Sequence, residues 1–282
     1  MTRAITKPQE KENLIRNFYV IGGDSTQNIY LIHSVCSVVN MERNIENKTV
    51  VLTGGAVGIG YHIADHFLIN DQAAESLNKK HGENKAAFMK CDVTKDLDEV
   101  SKEIFKNFEV DVLVNNAGIC DEREIRKTIE VNLIAVIEWS FKFFEYIRKD
   151  IGGRGGTIFN VVSYYGYKFD QWIHLYKSSK HGAIGFTKTL GHPTNYEKSG
   201  VRVISICPGF TKTNLISDVS IADYQKEGFN EFARTLYFQT VEAVGKASVE
   251  IFKVTTGSWL PSRFFPTTFK LRLLKIGTDH FE

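Results

Sequence analysis

A chain of 282 residues, 43% hydrophobic and 24% charged, is long enough to bury a full core, and its balance suits one large α/β domain. A formal net charge of +2 offers no basic field for nucleic acid or an anionic membrane surface. Cys36, Cys91, Cys120 and Cys207 are scattered without metal-ligand spacing, so no metal site is expected, and free thiols in a reducing, cytoplasmic setting are.

The most apolar early stretch, Ile29 to Val39, contains His33 and is too short for a membrane span, which needs about 20 residues. From Thr49 onward, strand-like and helix-like runs alternate. Strands are expected over about 49–53, 86–91, 110–115, 156–162 and 201–207, and helices over about 58–69, 71–81, 95–108, 124–149 and 174–190. This alternation predicts a parallel sheet covered by helices on both faces. The run 124–149 is apolar over much of its surface, with Trp139, Phe141, Phe143 and Phe144. Such a helix packs on its own sheet or on a second copy of the chain.

Residues suited to chemistry gather where these runs end. Thr53-Gly-Gly-Ala-Val-Gly58-Ile-Gly60 lies between a strand-like run and a helix-like run. Glycines there let the backbone approach a dinucleotide pyrophosphate, and the helix N-terminus offers it free N–H groups. Asp111-Val-Leu-Val-Asn115-Asn116-Ala117-Gly118 is a buried strand ending in two amides and two small residues, which also reads as an ordinary turn. Ser163 closes the apolar run that starts at Gly156. Tyr176 and Lys180 are four apart and share one helix face. A free tyrosine has a pKa near ~10, and an adjacent ammonium favours the phenolate and lowers it. With a serine to hold a substrate oxygen, the three could move a proton to or from an alcohol. A Tyr-x-x-x-Lys pair alone occurs by chance in many helices; the company it keeps gives it weight. The strand-like run 204–207 then leads into Pro208-Gly209-Phe-Thr211-Lys-Thr213.

These motifs, in this order and with Asn132 between them, resemble the short-chain dehydrogenase/reductase family over residues from about 45 to about 255. A narrower resemblance, to the 15-hydroxyprostaglandin dehydrogenase group and the insect-type alcohol dehydrogenases, is carried by Tyr176 to Thr187 and by Ile206 to Phe210. The resemblance implies a Rossmann-type doubly wound fold in a single domain over 41–259. Residues 1–40 are then a weakly structured extension and 260–282 a divergent tail. It implies hydride transfer between a secondary alcohol and NAD, with NADP left open, and a homodimer. Tyr176 would be the general acid/base, and Lys180 would lower its pKa and hold the nicotinamide ribose. Ser163 would orient the substrate oxygen, and Asn132 would anchor a water in a proton relay. Gly54, Gly58, Ile59 and Gly60 would carry the pyrophosphate. Asp92 with Val93 would hold the adenine edge, and Asn116, Ala117 and Gly118 would flank the adenosine. Pro208, Gly209, Thr211 and Thr213 would meet the nicotinamide end.

One departure bears on function. Only 39 positions separate Thr53 from Asp92, too few for the family's helix, strand, helix and strand. The second β-strand is therefore expected to be missing, and with it the acid that binds the adenosine ribose; neither Asp71 nor Glu75 follows a strand. The alternative that follows is a chain that keeps the fold but binds its cofactor poorly. A lesser departure is the aromatic segment 214–239, with Tyr224, Phe229, Phe232, Tyr237 and Phe238, which suits a lipophilic alcohol or simple lid packing.

Overall fold

The computed structural model describes residues 21–22, 29–30, 48–68, 89–217, 219–221, 223–253 and 272–273. Four parallel strands form the sheet: β1 (Val50–Leu52), β2 (Val112–Asn115), β3 (Gly156–Val161) and β4 (Val201–Pro208), side by side in the order β4-β3-β2-β1. A two-residue strand, Ile29–Tyr30, lies antiparallel on the outer edge of β4, and Ile21–Gly22 pairs with Arg272–Leu273 apart from the sheet.

Side chains alternate across a strand, and here both faces are apolar. Val112 and Val114, Phe159 and Val161, Ile204 and Ile206 face one layer, packed with Ile63 and Val244. Those two residues belong to α1 (Gly58–Leu68) and to Val241–Lys253, the last long helix described. The two helices approach closely because Gly245 lies between them: a Cβ there would stand 2.4 Å from the carbonyl oxygen of His62. On the other face Leu113, Ile158, Val201 and Val203 meet Val100, Ile104, Trp139, Phe143 and Leu190. These come from α2 (Leu97–Asn107), from α4 (Ala135–Ile147), which continues a short α3 (Ile125–Ile129), and from α5 (His174–Leu190). The sheet is thus wound on both sides, as expected.

The expected elements fall close to their places, and α5 spans 174–190 as anticipated. Of the strand expected over 86–91, residues 86–88 lie outside those described. Its described part, Met89–Cys91, is irregular. An extended run becomes a strand only through ladder hydrogen bonds, and the described residues give it no partner. Met89 and Cys91 instead lean on the cluster under α2 and α4. The helix over 71–81 and the missing second strand fall at 69–88, outside the described residues. Among the described residues β1 pairs with β2 alone.

A buried chain of amides and hydroxyls ties the helices to the strands that carry the site. Asn115 Nδ2 donates to Ser140 Oγ and to Asn160 Oδ1, both at 2.9 Å, and Asn160 Nδ2 donates to Thr187 Oγ1 at 2.8 Å. Asn115 and Asn160 are opposite one another in the β2–β3 register, while Ser140 and Thr187 are on α4 and α5. Every group in it is buried, so breaking the chain strands a polar atom away from water. Asn160→Ala is expected to lower stability by about 1–3 kcal/mol, read as a lower urea midpoint at unchanged slope. An unmoved midpoint would mean the network adds nothing.

Candidate active site

The site opens at the carboxyl end of the sheet, where each strand hands over to a turn. After β1 the chain turns through Gly54 at φ +66° and Gly58 at φ +61°, left-handed values that favour glycine. A Cβ on Gly60 would stand 2.3 Å from Gly54 O and 2.4 Å from Asn116 Nδ2. No other residue type fits there without moving the turn. Two polar groups fasten this turn to the one after β2. Thr53 Oγ1 accepts from the backbone N–H of Asn116 and of Ala117, both at 3.1 Å. Asn116 Nδ2 donates to Thr53 O at 3.2 Å and Gly54 O at 2.9 Å.

A cavity of about 820 Å³ runs from this cradle to the start of α5. Gly54, Gly58, Ile59, Asn116 and Ala117 line one part of it, and Gly118 lines it beside Lys180. Pro208, Gly209, Thr211 and Thr213, which follow β4, close the side. Ser163, Tyr176 and Lys180 line the other end, so residues far apart in sequence reach one space. A dinucleotide fits this chemistry: Gly54, Gly58 and Ile59, at the glycine turn and the start of α1, line the cavity, and the first N–H groups of a helix suit a pyrophosphate.

At the far end three side chains are almost wholly buried: Ser163 is 8% exposed, Tyr176 8% and Lys180 4%. The Ser163 hydroxyl accepts from Tyr165 N at 3.1 Å and stands close enough to the Tyr176 phenol to favour its ionised form. Burial raises the phenol well above the usual tyrosine range, and Ser163 works against that rise. Lys180 Nζ lies 5.5 Å from the centre of the Tyr176 ring and donates to Val161 O at 3.4 Å. Burial lowers its pKa from the ordinary 10.5 to about 8. In the free chain, then, both groups are pressed toward their neutral forms.

Asn132 does not line the cavity; it supports the wall behind it. It sits in a π-helical turn, Glu130–Ile134, between α3 and α4, and is fully buried. Such turns often mark functional positions. Its Oδ1 accepts from Ile119 N at 2.9 Å, and its Nδ2 donates to Ile119 O at 2.8 Å and Ser179 Oγ at 3.1 Å. Both Nδ2 hydrogens are spent on protein, so the side chain has no donor left for a water. A Cβ on Gly118 would stand 3.3 Å from Asn132 Oδ1 and 3.5 Å from Lys180 Nζ, which explains the glycine there.

Asp92 and Val93 stand apart from the cavity lining. Asp92 folds its carboxylate back onto Thr94 N at 3.1 Å, Thr94 Oγ1 at 2.7 Å and Lys95 Nζ at 2.9 Å, and these bonds hold its pKa well below the usual carboxylate range. Val93 O accepts from Trp139 Nε1 at 3.0 Å, which anchors that loop to α4.

An aromatic wall brings Phe229 of the segment 214–239 together with Tyr164, Tyr165 and Phe210. Tyr164, Tyr165, Phe210 and Phe229 line the cavity beside Ser163. Phe210 meets Tyr165 edge-on at 5.5 Å between ring centres, and Trp172 meets Phe229 at 6.1 Å. The signal for the wall in the sequence was Tyr164-Tyr165 directly after Ser163. Of the aromatics in 214–239, Phe229 and Phe232 join this cluster, whereas Tyr224 and Tyr237 are 82% and 61% exposed.

A glycine cradle at the carboxyl end of a parallel sheet, leading to a buried serine–tyrosine–lysine set, defines a nucleotide-dependent oxidoreductase. A family model described as short chain dehydrogenase matches residues 48–223. The chain is 32% identical over 193 residues to the 15-hydroxyprostaglandin dehydrogenase (NAD(+)) of Rattus norvegicus, covering 62% of this chain and 73% of that one. It is 32% identical over 203 residues to Alcohol dehydrogenase 1 of Ceratitis cosyra, covering 65% and 79%. Over 196 residues it is 30% identical to the Development-specific 25 kDa protein of Sarcophaga peregrina. The chain belongs to the short-chain dehydrogenase family and is an oxidoreductase acting on CH–OH groups.

The buried lysine makes a prediction for the cofactor-free protein. Between about 8 and 10.5 the unfolded chain binds more protons at this group than the folded one, so its contribution to stability rises with pH across that window. Below the window the folded state carries the cost of burying the charge. Lys180→Met is therefore expected to melt above the parent on the acid side, with the gap narrowing as pH rises through the window. Thermal melts at several pH values check this; a gap independent of pH would contradict it.

Proposed function

We propose that the chain oxidises secondary alcohols with NAD, with hydroxylated lipids of the prostaglandin kind as the substrate class and Tyr176 as general acid/base. The observation that carries the reading is that Ser163, Tyr176 and Lys180 line the same cavity as the glycine cradle. Ser163 would hold the substrate oxygen beside the phenol, and Tyr176 would take its proton. The Lys180 ammonium, within 5.5 Å of the ring, would favour the phenolate. NAD, when bound, supplies the hydride acceptor. Gly54 to Gly60 and the N-terminus of α1 would hold its pyrophosphate, with Asn116 to Gly118 at the adenosine and Thr211 and Thr213 at the nicotinamide end.

The aromatic wall supports an apolar substrate, since a lipid chain gains about 25 cal/mol per Å² of apolar surface it buries. NAD is favoured by the mammalian relatives, which are NAD(+) dehydrogenases by name, with NADP the alternative. A homodimer is supported by Ile134 and Phe141, 41% and 48% exposed on the outer side of the α3–α4 helix, with Phe186 of α5 edge-on to Phe141 at 5.4 Å. Cytoplasmic residence is supported by three free thiols, Cys91, Cys120 and Cys207. A second reading rests on β1, which pairs with β2 alone among the described residues: a chain that keeps the fold but holds NAD weakly.

Two measurements separate these readings. Tyr176→Phe is expected to bind NADH as the parent does, by fluorescence titration, while losing turnover of a secondary-alcohol panel by about 100-fold or more. A variant with full activity would refute the assignment of Tyr176. Saturation of the parent only at millimolar NADH, without turnover, would favour the second reading.

A further inference from the structure

The helix that carries Tyr176 and Lys180 begins without a cap of its own. The residue before it, Ile173, is β-branched, and its side chain makes no capping hydrogen bond. Ile173 is also held at φ +46°, the one non-glycine residue with positive φ among those described. A β-branched residue there is strained, and such strain persists only where the surroundings enforce it. The first amides of any helix lack intrahelical partners, and a normal cap serves the second and third. In α5 those are Leu175 and Tyr176. Both are served from across the fold: Leu175 N donates to Glu122 Oε2 at 2.9 Å, and Tyr176 N to Glu122 Oε1 at 3.0 Å.

Glu122 lies on the loop after β2 and is itself held. Its backbone N–H donates to Ser220 O at 2.8 Å, Ser220 N donates to Cys120 O at 3.3 Å, and Asp121 and Ser220 form a bridge. Cys120, Ile173, Tyr176 and Ile221 share one apolar cluster, and Cys120 and Val219 line the cavity. One carboxylate therefore joins the cavity wall at 219–221 to the backbone of Tyr176.

We infer that Glu122 is a positioning residue for the reaction: its carboxylate caps α5 in place of a local cap and fixes where the Tyr176 phenol stands relative to Ser163. This rests on the reading of Tyr176 as acid/base. Glu122 is not among the residues that line the cavity, so its loss should act on the chemical step and spare binding. Misplacing a catalytic group by a fraction of an ångström is enough to slow turnover.

The test compares the parent with Glu122→Gln and Glu122→Ala. Glutamine has one acceptor for two amides, so it should retain part of the effect. Expected are a fall in kcat of about tenfold for Glu122→Ala, a smaller fall for Glu122→Gln, and an unchanged NADH dissociation constant for both. Hydrogen exchange at the Leu175 and Tyr176 amides should speed up in the same order, while amides from Ala183 to Leu190 keep their protection. A kcat equal to the parent's, or unchanged exchange at Leu175 and Tyr176, overturns the inference. Should the parent itself turn over no alcohol, the activity reading fails separately, and the exchange measurement still decides whether Glu122 anchors the helix.

Discussion

An ammonium and a phenol buried side by side set the terms for the rest of this structure. Lys180 and Tyr176 are removed from water almost completely, and each is driven toward its neutral form by that burial. Groups so placed are held only if their neighbours offer what water no longer does. Ser163 favours the ionised phenol, and Val161 O accepts a hydrogen bond from Lys180 Nζ. The scaffold beneath must also be rigid, because both side chains are on a helix that touches the sheet along its length. The Asn115–Asn160–Thr187 chain supplies that rigidity from the strand side, and the Asn132–Ser179 bond from the helix side. The candidate site is thus an outcome of strand registry as much as of its own three residues.

The two ends of the cavity use different physics. At the cradle, bare backbone and helix N–H groups present donors that suit an anion, with Thr53 and Asn116 locking two turns together. Beyond Ser163 the wall becomes aromatic, with ring contacts among Tyr165, Phe210, Trp172, Phe229 and Phe232. A polar reacting group at the boundary lets one face of the cavity orient and the other discriminate by size and apolar area.

Much of this was legible in the chain because it is local. The glycine turn, the period of α5 and the alternating strands each follow from residues a few positions apart, and they emerged close to their expected bounds. Other features depend on partners that no window contains. The segment at 86–91 has strand-like composition, yet Met89–Cys91 has no ladder partner among the described residues and packs side chains instead. Asp92 looks available in sequence, but Thr94 and Lys95 capture its carboxylate. The Asn132 side chain binds Ile119 and Ser179, partners 13 and 47 residues away. Glu122 meets α5 across a separation of 53 and 54 residues, which local patterns do not reach.

The central claim is that the Tyr176 phenol, tuned by Ser163, exchanges the proton with the substrate. It is tested most directly by the pH dependence of kcat/KM for alcohol oxidation in the parent and in Ser163→Ala. The Ser163 hydroxyl lowers the phenol's pKa, so its removal should move the acid limb of the profile to higher pH as well as lowering its plateau. An acid limb that stays in place, or moves to lower pH, would contradict the account.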